Sequence, residues 1–164
     1  MAELTNLESK LGEVLGLAMA AQGATEKVKR LPELEVPLAQ KLERIHEEAK
    51  QTEERATQVA DAFEGKKSAI LDEAREVKQK ATEMMEDYLD RASDALDGFE
   101  FLTMAEAAEV GHLEILRTLN ERARNSQVQE LVDWAIPIQE RHFTEALAGS
   151  LQLAAHEDPN EQSG

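Results

Sequence analysis

Apolar residues recur at alternating spacings of three and four along five stretches of the chain, the pattern of amphipathic helices. The most regular stretch covers about residues 33–64, and the others cover about 5–29, 68–96, 100–124 and 127–155. Pro32, Gly65 and Gly98 lie between these stretches, where they interrupt helix formation. Ser68 is placed to cap the third helix, and Pro137 is expected to kink the fifth.

This order of helices predicts an all-α protein, because no stretch has the alternating pattern of a strand. Aromatic residues make up 4% of the chain, and helix-forming residues dominate it. We expect an antiparallel four-helix bundle in residues 1–155, with the third segment as an additional connecting helix. Residues 156–164 are polar and are predicted to be a disordered tail.

The charge balance excludes several classes of partner. The chain has 34 acidic and 18 basic residues, a net charge of −16, so it lacks the excess of cations that nucleic acids or anionic membranes require. The longest weakly polar run, residues 14–21, is too short to span a bilayer. The N-terminus also lacks a signal-peptide pattern, so a cytoplasmic protein is expected. The chain has no cysteine, which limits metal ligands to oxygen and nitrogen.

Two histidines fall on the predicted apolar stripes of the last two helices. His112 and His142 lie about 13 residues before and 17 residues after the turn near Asn125. At ~1.5 Å per residue these offsets are about 20 and 25 Å, so both side chains are expected to point inward at a similar level. Glu145 shares the predicted inner face of His142. The alternative is that each histidine is an ordinary core residue hydrogen-bonded to a neighbour.

Further carboxylates are placed to complete a metal site. Glu109 stands three residues before His112, a spacing that puts both side chains on one helical face. Glu13 and Glu48 lie at comparable distances from the turn at Pro32, in the first and second helices. Carboxylates and imidazoles that project inward from several helices typically bind iron or manganese. The alternative is that these glutamates are solvated surface charges.

Three segments together resemble the ferritin-like superfamily, specifically the YciE/YciF-type bacterial stress-associated proteins. They are IHEEAKQTEERATQVADAFEGKK, AAEVGHLEILRTLNERA and LVDWAIPIQERHFTEAL. The resemblance covers about residues 8–148 and implies a ferritin-like bundle. It implies that four residues match the acidic and histidine positions of that family: Glu48, His112, Glu114 and Glu140. Gly111 and Gln139 stand where the family has glutamates, so the chain departs from the pattern at two positions.

Two functions are predicted from these patterns. The first is a ferritin-like protein that binds one or two iron or manganese ions, as a mononuclear or a dinuclear centre, for stress chemistry with O2 or peroxide. Its expected partners are metal ions and a second copy of the chain. The second is a metal-free helical bundle that acts in dimerisation or partner binding. Peripheral lipid binding is disfavoured by the acidic charge.

Overall fold

The regular secondary structure of the protein is helical, as predicted. The computed structural model describes residues 2–90 and 93–163 of the chain. The described part contains five helices: α1 (Asn6–Lys29), α2 (Val36–Asp61), α3 (Lys67–Tyr88), α4 (Ala95–Ala123) and α5 (Ser126–Ala154). None of these helices has the length and apolarity needed to cross a lipid bilayer.

Capping side chains explain where two of the helices begin. Thr5 forms a capping box with Glu8 at the start of α1. Asp94 forms the same arrangement with Asp97, so α4 begins earlier than predicted and Gly98 lies within it. A Cβ on Gly98 would lie 2.6 Å from the Leu31 side chain, so the glycine permits close packing there.

Two predictions about the third helix are wrong. It was expected to reach residue 96, but α3 ends at Tyr88. Residues 91 and 92, which were placed in that helix, lie outside the described part of the chain. The expected cap at Ser68 is also incorrect, because the helix already begins at Lys67 and Lys66 is its N-cap residue.

Four helices pack side by side in a closed ring in the order α1, α2, α5, α4. The remaining helix, α3, packs mainly against the outer side of α1. Gly12 and Gly16 make this contact possible, since a Cβ on Gly16 would lie 2.4 Å from the carbonyl oxygen of Ala74. The connecting segment therefore becomes an additional helix against the ring.

Two clusters of apolar side chains form the interior of the ring. The first includes Leu15, Ala60 and Leu116, and the second includes Leu42 and Phe99. In each of α2, α4 and α5, one stretch of the helix contributes to the first cluster and another contributes to the second. The residues between these stretches form a layer of buried polar side chains.

The predicted stripe of α4 is wrong by one position. It was predicted to follow Phe101, Ala105, Ala108, His112, Ile115 and Leu119. The buried residues instead include Leu102, Glu106, Glu109, Leu113 and Leu116, whereas Ile115 is 47% exposed. Of the predicted positions, Phe101 is buried. The stripe predicted for α5 is largely confirmed by five buried positions: Val128, Leu131, Ala135, His142 and Gly149. Pro137 lies within α5, which continues on both sides of it.

Candidate metal site between helices α2, α4 and α5

The polar layer contains the two most deeply buried ionisable side chains among the described residues. Glu106 and His142 are each 1% exposed, and Glu109 and Gln139 are also buried. On α4, Glu106 and Glu109 follow Leu102 of one apolar cluster and precede Leu113 of the other. On α5, Gln139 and His142 occupy the equivalent interval. Apolar side chains therefore lie on both sides of this layer along the helices.

The imidazole of His142 lies between two carboxylates. Its Nε2 atom is 3.3 Å from Glu48 Oε1 on α2, and its Nδ1 atom is 3.7 Å from Glu106 Oε2 on α4. Side chains from α2, α4 and α5 therefore meet at this imidazole. Because both of its nitrogen atoms face carboxylate oxygens, the imidazole is held from two sides.

Glu106 and Glu109 form a hydrogen-bonded carboxyl pair. Burial, followed by the negative charge of Glu106, raises the pKa of Glu109 well above its usual value. The Gln139 amide donates to Glu106 and, over 3.2 Å, to Glu109 Oε2. Glu106 Oε1 is buried and has no hydrogen-bond partner among the described residues. The raised pKa thus favours a proton on Glu109, beside a Glu106 oxygen that has no partner among the described residues.

Glu48 is held by arginines at the edge of the same layer. Arg141 donates to Glu48 Oε2, and Arg44 Nε lies 3.3 Å from Glu48 Oε1. Burial raises the pKa of Glu48, but the hydrogen bond from Arg141 and the contacts with His142 outweigh that effect and lower it overall. Glu48 is therefore an ionised acceptor for the His142 ring.

His112 does not join this layer, contrary to the expectation of a shared site with His142. Its side chain is 34% exposed, and its Nδ1 atom lies 3.2 Å from both Lys10 Nζ and Glu13 Oε2 on α1. Burial, and then the positive charge of Lys10, lower the pKa of His112. The shift of the α4 stripe by one position explains why this side chain faces α1 near the surface.

The other predicted ligands lie outside the buried layer. Glu114 pairs with Arg117 on the surface of α4, and Glu140 is exposed on α5. Glu145 is partly buried near the arginines that hold Glu48, with its Oε1 atom 3.8 Å from Arg44. Of the eight predicted ligands, the structure brings Glu48, Glu109 and His142 into one cluster.

Sequence reasoning missed Glu106 and the role of Gln139. The signal for Glu106 was its spacing from Glu109, since residues three apart on a helix share a face. The signal for Gln139 was the same spacing from His142. Both were obscured because the α4 stripe was assigned through His112.

The His, Asp and Glu residues in the described part of the chain are not arranged as a metal-binding group in this structure. No set of three or more His, Asp or Glu side chains among them adopts a ligating arrangement. The cluster nevertheless brings together the carboxylates of Glu48, Glu106 and Glu109, the His142 imidazole and the Gln139 amide. No family model matches the chain, and no curated protein or solved structure does either.

Proposed function

We propose that this protein binds one divalent iron or manganese ion in the polar layer, with Glu106, Glu109 and His142 as ligands. The observation that carries the proposal is the buried imidazole of His142, which is held by Glu48 on one side and has its Nδ1 atom 3.7 Å from Glu106 Oε2 on the other. The second oxygen of that carboxyl group, Oε1, is buried and has no hydrogen-bond partner among the described residues. The bound ion would supply redox chemistry with O2 or peroxide.

The contact with Glu48 prepares His142 for ligation. A hydrogen on Nε2 that donates to Glu48 leaves the lone pair on Nδ1, which faces Glu106. Histidine ligands of metals commonly donate their second ring nitrogen to a carboxylate, which fixes the tautomer. Arg141 and Arg44 neutralise Glu48 and so keep it in this outer position.

The carboxyl pair supplies the oxygen ligands. The raised pKa of Glu109 favours a proton that a cation would replace, because two ionised carboxylates repel each other in a buried site. The Gln139 amide already donates to Glu106 Oε2 and Glu109 Oε2. Rotation of this amide would present its carbonyl oxygen to the ion instead.

The donor set favours one ion over the dinuclear centre that the sequence suggested. Oxygen and imidazole ligands without thiolates suit manganese and ferrous iron. Between its two stretches of core residues, α1 has the buried alanines Ala18 and Ala21 and so offers no ligand at this level. We extend the proposal to an antiparallel ferritin-like arrangement of α1, α2, α4 and α5.

The residues around the ion would control access to the ion and the release of protons when it binds. Apolar clusters flank the site, and Glu109 would give up its proton as the ion binds. Arg141 and Glu48 would hold the imidazole in place during a change in the oxidation state of the ion.

Calorimetric titration of untagged, EDTA-dialysed protein with Mn(II) tests the proposal. We expect about one ion per chain, and at least a tenfold loss of affinity in Glu106→Gln. Glu48→Gln should weaken binding by about 10- to 100-fold, as for other outer-shell partners of metal-binding histidines. Glu114→Gln, on the surface of the same helix, is the matched control. Equal affinity in Glu106→Gln and Glu114→Gln would refute the site.

Self-association is a second candidate function, favoured by an exposed apolar ridge on α5. Leu147 and Leu151 are one turn apart and are 38% and 63% exposed. A ridge of this kind is suited to an apolar face on a second copy. Light scattering should give a dimer that Leu151→Asp converts to a monomer. The same mass for both proteins would exclude this ridge as the interface.

A further inference from the structure

A cavity of about 330 Å³ lies between α1, α3 and α4, next to the polar layer. Its volume is at the lower end of the range of ~300–1,000 Å³ that is typical of small-molecule sites. Most of its wall is apolar and comes from residues such as Leu17, Ala21, Phe101 and Leu102. The wall formed by α3 shows that this additional helix creates the cavity together with the ring.

The polar side chains of the cavity lie mainly at one end. Glu106, Glu109 and His112 all line it, so the carboxyl pair of the proposed metal site also borders the cavity. Thr82 is on the α3 wall, but its hydroxyl donates to a backbone carbonyl of its own helix. A molecule in the cavity would therefore meet hydrogen-bonding groups at the carboxyl pair and apolar groups elsewhere.

Methionines and an aromatic ring point to the shape of the ligand. Met84 and Met104 line the cavity and are 67% and 51% exposed, which places them at its opening, and Met85 and Phe101 are buried in the wall. Thioethers adapt to irregular surfaces and make favourable contacts with aromatic rings. This lining favours a planar ring over a branched aliphatic group.

The charges at the polar end favour a neutral ligand. The residues that line the cavity include no lysine or arginine, so an anion would lose its hydration there without gaining a counter-charge. If the ion of the proposed function balances the carboxylates, a cationic ligand gains no counter-charge there. A hydroxyl group can donate to a carboxylate oxygen without adding charge.

We propose that this cavity binds a neutral aromatic molecule with one hydroxyl group, and that the hydroxyl donates to the carboxyl pair of Glu106 and Glu109. The neutrality of the ligand rests on the proposed metal site, whereas its apolar and aromatic character rests on the cavity alone. Such a molecule would lie beside the metal, where it is placed to be a substrate of the redox chemistry.

Three naphthalene probes with the same ring and different charges test the proposal. They are 2-naphthol, 2-naphthoate and 2-(aminomethyl)naphthalene, and binding is followed by their own fluorescence with and without Mn(II). We expect 2-naphthol to bind Mn(II)-loaded protein at least ten times more tightly than either charged probe. Stronger binding of a charged probe to the loaded protein would overturn the proposal.

Adjacent alanines on α4 provide a matched pair of variants. Ala108 is exposed and lines the cavity, while Ala107 is exposed and does not. Ala108→Trp should reduce 2-naphthol affinity at least tenfold, whereas Ala107→Trp should leave it unchanged. Ala81→Phe blocks the cavity from the α3 wall and should have the same effect as Ala108→Trp.

Mn(II) affinity measured in the same variants separates the two proposals. Unchanged Mn(II) binding together with equal 2-naphthol affinity in Ala107→Trp and Ala108→Trp would overturn the cavity proposal alone. No Mn(II) binding, with 2-naphthol still lost in Ala108→Trp, would overturn the metal site and with it the preference for a neutral ligand.

Discussion

Replacement of Glu106 by leucine should make the metal-free protein more stable and the metal-loaded protein less stable. Glu106 is 1% exposed, and its Oε1 atom has no hydrogen-bond partner in the described part of the chain. An unsatisfied buried polar group costs about 1–3 kcal/mol. A protein that needs this carboxylate only to bind a cation is less stable without the cation than an apolar variant would be.

The magnitude follows from the contacts of this side chain. Leucine has a similar size and removes the unsatisfied oxygen, but it also removes an acceptor for the Gln139 amide, which is worth about 0.5–1.5 kcal/mol. Gln139 keeps its contact with Glu109 and a long hydrogen bond to the backbone carbonyl of residue 106. From the midpoints of these two ranges we expect a net increase of about 1 kcal/mol in the free energy of unfolding without metal.

Metal should reverse this order. A ligand at a thousand times its Kd stabilises the folded state by about 4.1 kcal/mol. The wild-type protein gains this stabilisation and the Glu106→Leu variant does not. The wild type should then exceed the variant by about 3 kcal/mol, the difference between these two effects.

Urea unfolding followed by far-ultraviolet circular dichroism measures both values, in EDTA and in excess Mn(II). Glu114→Leu is the control, because this surface change should alter stability by no more than about 0.5 kcal/mol in either condition. A loss of more than about 2 kcal/mol for Glu106→Leu in EDTA would mean that Glu106 is a structural partner, and the reasoning would fail.

Three further predictions concern the carboxyl pair, α5 and the contact between α1 and α3. Burial and the charge of Glu106 raise the pKa of Glu109 above 4.5, so stability is lost as pH rises from about 4.5 through the raised pKa. Glu109→Gln should remove this loss in urea titrations across pH, and an unchanged pH profile would contradict the assignment. Gln139→Glu adds a third buried carboxylate beside Glu106 and Glu109. It should therefore raise the Mn(II) affinity measured by calorimetry at least tenfold and lower the stability of the metal-free protein. Weaker Mn(II) binding would argue against ligation at this position. Gly16→Ala should lower the free energy of unfolding by about 1–3 kcal/mol, because its Cβ would lie 2.4 Å from the α3 backbone. Gly23→Ala is the control, since its Cβ would have open space and should raise the free energy of unfolding by up to about 1 kcal/mol. Equal thermal unfolding curves for the two variants would contradict the close packing of α1 and α3.

The sequence predicted the helices well because their signals are local. Apolar spacing and the breaks at Pro32 and Gly65 located α1, α2 and α5 to within a few residues. The start of α4 was predicted about five residues too late, because Asp97 and Gly98 are residue types that commonly interrupt helices. In the structure Asp94 and Asp97 form the capping box of this helix, which begins at Ala95. The position of Gly98 inside α4 is explained by the close approach of Leu31 and Val28, which the sequence of α4 alone does not indicate.

The candidate site was only partly predictable, because buried polar residues contradict the rule that locates a helical stripe. On α4, His112 looked like a core residue and Glu106 looked like a surface charge, but their burial is the reverse. His142 was placed correctly because apolar residues surround it in the α5 pattern. The pairing of His142 with Glu48 and Glu106 depends on the packing of three helices, which spacing along one helix does not determine.

Pulsed electron paramagnetic resonance of bound Mn(II) tests the central claim most directly, because it detects nitrogen atoms coordinated to the ion. We predict one histidine nitrogen coupling in the wild type and in His112→Leu, and none in His142→Leu. A spectrum of Mn(II) without nitrogen coupling in the wild type, or a coupling that disappears in His112→Leu, would contradict the proposed site.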